Sequence, residues 1–148
     1  MSAQRLKILY LVPAHGLLGS VGPSRNVLNL ARAMRPYAEI AVAFRYKLED
    51  RAPEGGEVLE IDPASRPAAD GPAGGRDDSA MRGLGLGDFL AYLARLRRFT
   101  RGAAGRYDVI LEKSWLLSGH LSEVARRAGG GGIPIENVVP SPRRHEAA

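Results

Sequence analysis

Apolar residues in this chain fall into two kinds of stretch. Short, mainly apolar blocks cover residues 8–12, 40–44, 107–111 and 133–139. Longer stretches between them carry apolar residues every three or four positions. A short apolar block that does not alternate is buried on both faces, as in a central parallel strand, and a three-to-four spacing marks one face of a helix. A further, shorter strand is expected at 57–61, EVLEI.

The helical stretches are predicted at 24–35, 88–101 and 114–128. Val27, Leu30, Ala31 and Met34 share one face of the first, and Phe89, Tyr92, Leu93, Leu96 and Phe99 line the second. Leu117, Leu121, Val124, Ala125 and Ala128 line the third, which Gly129 closes. Ser24, Asp88 and Ser114 are the expected N-caps, and Pro36 discourages continuation of the first helix. The order is β-α-β-β-α-β-α-β. It predicts an α/β, Rossmann-like, doubly wound fold with a mostly parallel sheet in the order 3-2-1-4-5.

Residues 62–87 break the pattern. DPASRPAADGPAGGRDDSAMRGLGLG is dense in Pro, Gly and Ala without apolar period, and is expected to be a flexible insertion in one domain spanning 1–140. The tail at 141–148, SPRRHEAA, is expected to stay disordered.

Composition narrows the chemistry. The chain has 148 residues, 45% of them hydrophobic, which suits one globular domain. It has no cysteine, which excludes disulfides, thiolate zinc sites and cysteine nucleophiles. His15, His120 and His145 lack metal-ligand spacing, so no metal is expected. No apolar stretch approaches a membrane span, and a cytoplasmic protein is the expectation. The net charge of +5 and a pI near 10.0 suit anionic partners, including an anionic membrane surface facing Arg95, Arg97, Arg98 and Arg101. No nucleic acid is expected as a partner.

Ligand chemistry is expected in the loop after the first strand. Gly16, Gly19 and Gly22 let a backbone approach a ligand closely, and Ser24 and Arg25 open a helix whose N-terminus favours anions. The spacing G-x-x-G-x-x-G is not the dinucleotide fingerprint G-x-G-x-x-G, although Arg45 after the second strand is suited to a 2′-phosphate. G-x-x-x-x-G-K-[ST] and G-x-S-x-G are both missing from the sequence. Glu112, Lys113 and Ser114 follow the fourth strand, where such folds place ligand contacts.

These residues resemble a family. KILYLVP followed by GPSRNVLNLARAM, then YDVILEKSWLLSGHLSEVARRAG and IPIENVV, look like the N-terminal half of glycosyltransferase family 4, retaining enzymes of the GT-B fold. Glu112, Lys113 and Ser114 match the cluster the family carries after its fourth strand, and Glu136 and Asn137 match its later Glu-Asn pair. A histidine that many members carry near the end of that strand has no counterpart here, so its role does not transfer.

The resemblance implies transfer of a sugar from a nucleotide-sugar co-substrate to a sugar or lipid-linked acceptor, with no other cofactor. It implies an acceptor-side domain that ends short of the family's length and is inactive without a donor-binding half, which a separate chain would supply. A peripheral position at the inner membrane face goes with a lipid-linked acceptor. The alternatives are a non-enzymatic orphan fragment and an α/β module for a phosphorylated ligand. Catalytic residues, sugar, acceptor and stereochemistry are left open by the sequence.

Overall fold

The computed structural model describes residues 4–17, 22–48, 56–67, 84–113 and 115–135. Five strands form one sheet: β1 (Leu6–Val12), β2 (Ala38–Phe44), β3 (Glu57–Glu60), β4 (Val109–Lys113) and β5 (Gly131–Ile135). Their order is β3-β2-β1-β4-β5, and every pairing is parallel. Three α-helices accompany them: α1 (Gly22–Met34), α2 (Leu86–Ala104) and α3 (His120–Arg127). A 3-10 turn, Pro63–Ser65, follows β3. This is the expected doubly wound α/β arrangement, with a fully parallel sheet.

Period-two alternation divides the core into two layers. Leu9, Leu11, Ala41, Ala43 and Ile110 meet Tyr92 and Leu96 of α2 and Leu121 and Ala125 of α3. Ile8, Tyr10, Val12, Ile40, Val42, Phe44 and Leu111 meet Val27 and Ala31 of α1 on the other side. Both faces of β1 are therefore covered, which is why its sequence is an unbroken apolar run. Burial on the α1 side raises the Tyr10 phenol above its usual pKa.

Several elements depart from their expected bounds. Leu30 is 39% exposed, while Val27 and Ala31 are buried and Leu28 and Met34 pack at the margin. The buried stripe of α1 thus runs through 27, 28, 31 and 34 and leaves Leu30 at its edge. α1 begins at Gly22, so Ser24 lies inside the first turn and is not the N-cap. Asp88 likewise lies in the first turn of α2, whose N-cap is Gly85, and that helix continues to Ala104.

The fourth strand is shifted to 109–113, which takes Glu112 and Lys113 into it. α3 starts only at His120, behind an N-cap at Gly119, because residues 116–119 form turns. Leu117, in those turns, and Ala128, past the end of α3, are exposed. Ser114, the expected cap, lies outside the described residues. β3 ends at Glu60 and β5 begins at Gly131, two residues before the expected block. A Cβ on Gly132 would run into the Ser122 carbonyl, so only glycine lets β5 pass this close to α3.

The segment expected to be flexible from residue 62 is ordered at both ends. Asp62 is buried, 63–65 form the 3-10 turn, and Leu86 and Gly87 already belong to α2. Residues 68–83, and the tail from 136 onward, lie outside the described residues.

Candidate functional site at the carboxyl edge

The loop after β1 is built as a support. Beyond Val12 the chain turns at Pro13 and Ala14 and then runs beside the segment that follows β2. Leu17 bridges Lys47 in parallel, its N–H donating to the Tyr46 carbonyl at 2.8 Å, while the Leu48 N–H donates to the Leu17 carbonyl at 2.9 Å. The Arg45 N–H donates to the His15 carbonyl at 3.1 Å. Gly16 is buried in this strip, and a Cβ there would lie 2.6 Å from Cε2 of Tyr46. Glycine is required so that the loop can rest on the Tyr46 ring.

The buried Ser24 hydroxyl donates to the Gly16 carbonyl at 3.2 Å and ties the first turn of α1 to the loop. Arg25 is the next residue and is exposed. Gly22 is the first residue of α1, and Gly19 lies outside the described residues.

A buried charge network stands beside this loop. The ladder continues past β3, with the Ile61 N–H on the Phe44 carbonyl at 2.9 Å and the Asp62 N–H on the Arg45 carbonyl at 2.7 Å. Arg45 and Asp62 are thereby set side by side, 5% and 3% exposed. Arg45 Nη2 is 3.5 Å from Asp62 Oδ2, and Arg45 Nε donates to Ser65 Oγ at 3.1 Å. Its guanidinium also lies 4.2 Å from the centroid of the Tyr92 ring. Arg95 reaches in from α2 to Asp62 Oδ1 at 3.2 Å.

Two guanidiniums thus share one buried carboxylate, Arg95 at Oδ1 and Arg45 facing Oδ2, which has no hydrogen-bond partner among the described residues, and the cluster is net positive. Arg45, suited by its place after the second strand to a 2′-phosphate, is instead engaged in this network. The Tyr92 hydroxyl donates to the Pro13 carbonyl at 2.7 Å, and burial pushes its pKa far above the usual phenol value. Further out, Arg66 grips both oxygens of Glu60 at 2.7 and 2.8 Å, and the Lys47 N–H donates to Glu60 at 3.0 Å. Partial burial alone would raise the Glu60 pKa, but these contacts outweigh it and hold the carboxyl below its usual value.

Glu112 has a structural task. Alternation along β4 turns it toward α3, where it is 1% exposed. Its Oε2 accepts from the Ser122 N–H at 2.8 Å and the Ser122 hydroxyl at 2.9 Å, and its Oε1 accepts from the Trp115 indole N–H at 2.6 Å. Ser122 is the third residue of α3, so the carboxylate caps that helix from a neighbouring strand, where the dipole favours a negative charge. Both oxygens of Glu112, expected among the ligand contacts, thus accept hydrogen bonds inside the fold.

Lys113 lies one residue on, 6% exposed, and alternation puts it on the α1 side. Of the expected site residues, Gly16, Ser24 and Arg25 come together at the first turn of α1, and Lys113 ends β4 at the same edge of the sheet. Ser114, Glu136 and Asn137 lie outside the described residues. The sequence reading missed Asp62, because its partners Arg45 and Arg95 are distant along the chain. Tyr92 was legible only as an apolar stripe position.

The four arginines of α2 do not act as one face. Arg95 turns to Asp62, and Arg97 Nε donates to His120 Nε2 at 2.8 Å. No group of three or more His, Asp or Glu residues is placed to hold a metal ion among the described residues. Among them, no helix is long and apolar enough to cross a membrane.

Neither a protein-family model nor a curated protein matches the chain. Among solved structures, it is similar to the C-terminal domain of a hydrogenase from Pyrococcus furiosus, at 13% identity and a TM-score of 0.51. The match covers 88% of this chain and 92% of that domain. At this identity the likeness concerns the fold alone.

Proposed function

We propose that this domain is the acceptor-side half of a glycosyltransferase that moves a sugar from a nucleotide-sugar donor to an acceptor hydroxyl. The sequence resemblance suggests the family. The observation that carries the reading to particular residues is the Ser24–Gly16 tie, which fixes the start of α1 with Arg25 exposed beside it. In doubly wound folds ligands sit at this carboxyl edge, and a helix N-terminus is suited to phosphate.

In the transfer, the acceptor oxygen bonds to the sugar's anomeric carbon as the bond to the diphosphate breaks. The leaving diphosphate keeps the electron pair, and the acceptor's proton passes to the phosphate oxygen so released. Charge grows on the diphosphate, so preorganised positive groups lower the barrier most. Arg25 and the positive end of the α1 dipole fill that role. The Arg45–Asp62–Arg95 network adds positive potential behind the loop and stiffens it. A second, donor-binding half completes the site. The same reading places the protein in the cytoplasm, at the inner membrane face where the acceptor is lipid-linked.

Co-expression with the product of the reading frame just downstream tests this directly. Release of nucleoside diphosphate from a panel of nucleotide sugars, only when both chains are present, is the expected result. A partner without a donor-binding fold, together with no nucleotide affinity in this chain, overturns the proposal.

A further inference from the structure

The opposite, amino edge of the sheet carries a cavity of about 540 Å³. It lies between the starts of β1, β2 and β3, the end of α1 and the turn after α2. Four cations from separate parts of the chain line it: Arg5 and Lys7 from β1 and the residues before it, Arg35 from the end of α1, and Arg106 from the turn after α2. Two carboxylates, Glu39 and Glu57, face them, which leaves the lining two charges positive, four against two.

One of those carboxylates is already engaged. Tyr107 donates its hydroxyl to Glu57, and burial together with that carboxylate raises the phenol's pKa, so the tyrosine stays neutral. Arg5 is held in place by Nη2 donating to the Pro36 carbonyl at 2.9 Å, which leaves other guanidinium N–H groups for a ligand. Arg106 lies with its guanidinium 5.9 Å from the Tyr107 ring centroid. Lys7 donates its backbone N–H to Asp108 at 2.8 Å, and among the described residues neither its ammonium nor the Arg106 guanidinium forms an ion pair.

We propose that this cavity is a second ligand site, separate from the carboxyl edge, that takes a phosphate monoester of sugar or nucleotide size. Its volume falls in the range of small-molecule sites, roughly 300–1,000 Å³. Bare phosphate would fill a small part of it. An arginine fork and a lysine recognise a dianion, and each charge-assisted bond is about twice as strong as a neutral one. The half-buried Tyr107 ring and the unengaged Glu39 give the attached sugar or base an apolar face and an acceptor for its hydroxyls. The carboxyl edge of such folds is where substrates react, so a ligand at the amino edge acts as a regulator or stabiliser of the sheet.

Titration of the whole chain at low salt with inorganic phosphate, ribose 5-phosphate and adenosine monophosphate tests the site. Lys7→Gln combined with Arg106→Gln is the diagnostic variant, and Arg25→Ala is the control at the other edge. Both replaced side chains of the double variant are exposed, so the fold is kept. Should it fail to fold, Arg106→Gln alone is read in its place. The expected result is saturable binding of a monoester, tighter than inorganic phosphate, reduced roughly tenfold or more in the diagnostic variant and unchanged in Arg25→Ala. Absence of saturation for all three probes, a monoester no tighter than phosphate, or a loss that follows Arg25 overturns the proposal. The Arg25 control also separates this site from the proposed transferase site, since each can fail alone.

Discussion

The indole N–H of Trp115 and the backbone and hydroxyl of Ser122 all converge on the single carboxylate of Glu112, the indole at 2.6 Å. One buried anion therefore fixes the loop after β4 and the N-terminus of α3 together. Glu112→Ala leaves these donors without their acceptor in a dry site and should cost about 2–4 kcal/mol. Glu112→Gln keeps an oxygen but sets an amide NH₂ toward a donor, and should fall between wild type and alanine. Trp115 is the chain's one tryptophan, so urea unfolding followed by its fluorescence reports the site directly. A loss under 1 kcal/mol for Glu112→Ala would remove the capping role.

The two faces of α1 separate cleanly in a stability comparison. Val27 is 1% exposed and Leu30 39%. Val27→Ala empties part of the core and should cost about 2 kcal/mol, while Leu30→Ala should cost under about 1 kcal/mol. A reversed order would mean that α1 packs on the other face.

Gly16→Ala tests the loop that rests on Tyr46. The added methyl would lie 2.6 Å from the ring, so the loop or the ring must shift. The expected cost is about 1–3 kcal/mol. A variant as stable as wild type, with the Tyr46 environment unchanged by NMR, would show that the contact is not tight.

Alkaline stability follows from the buried phenols. Burial raises the pKa of Tyr92, so the folded state keeps its proton where the unfolded chain ionises, near pH 10. The unfolded state then binds fewer protons, and stability must fall as pH climbs past about 10. Tyr92→Phe removes that contribution. Its stability should fall less steeply from pH 9 to 11, with a residual slope from Tyr10 and Tyr107, whose pKa values are also raised. An unchanged slope contradicts the assignment.

Much of the fold was legible because its strands are covered on both faces. Ile8 to Val12 is apolar throughout, and no alternative to a central strand fits such a run beside a helix at 22–34. What stayed hidden depends on partners far along the chain. Glu112 and Lys113 read as a polar strand end because nothing at the strand shows that Ser122, ten residues on, will donate two hydrogen bonds to a buried Glu112. Leu30 read as core because its spacing fits a helical face. The neighbours that narrow that face lie on β1 and β2. The carboxyl-edge loop was legible through its glycines, but Gly16 is explained by a neighbouring ring, not by a ligand, and Arg25 remains the expected contact there.

The most direct measurement is titration calorimetry of the chain with uridine diphosphate at low salt. The account places the diphosphate at the first turn of α1, so Arg25→Ala should weaken binding about tenfold, as for loss of a charge-assisted contact. Arg97→Ala, whose side chain is held by His120, should bind as wild type does, and affinity should fall steeply with added salt. Equal losses for the two variants, or no measurable binding by the wild-type chain, would contradict it.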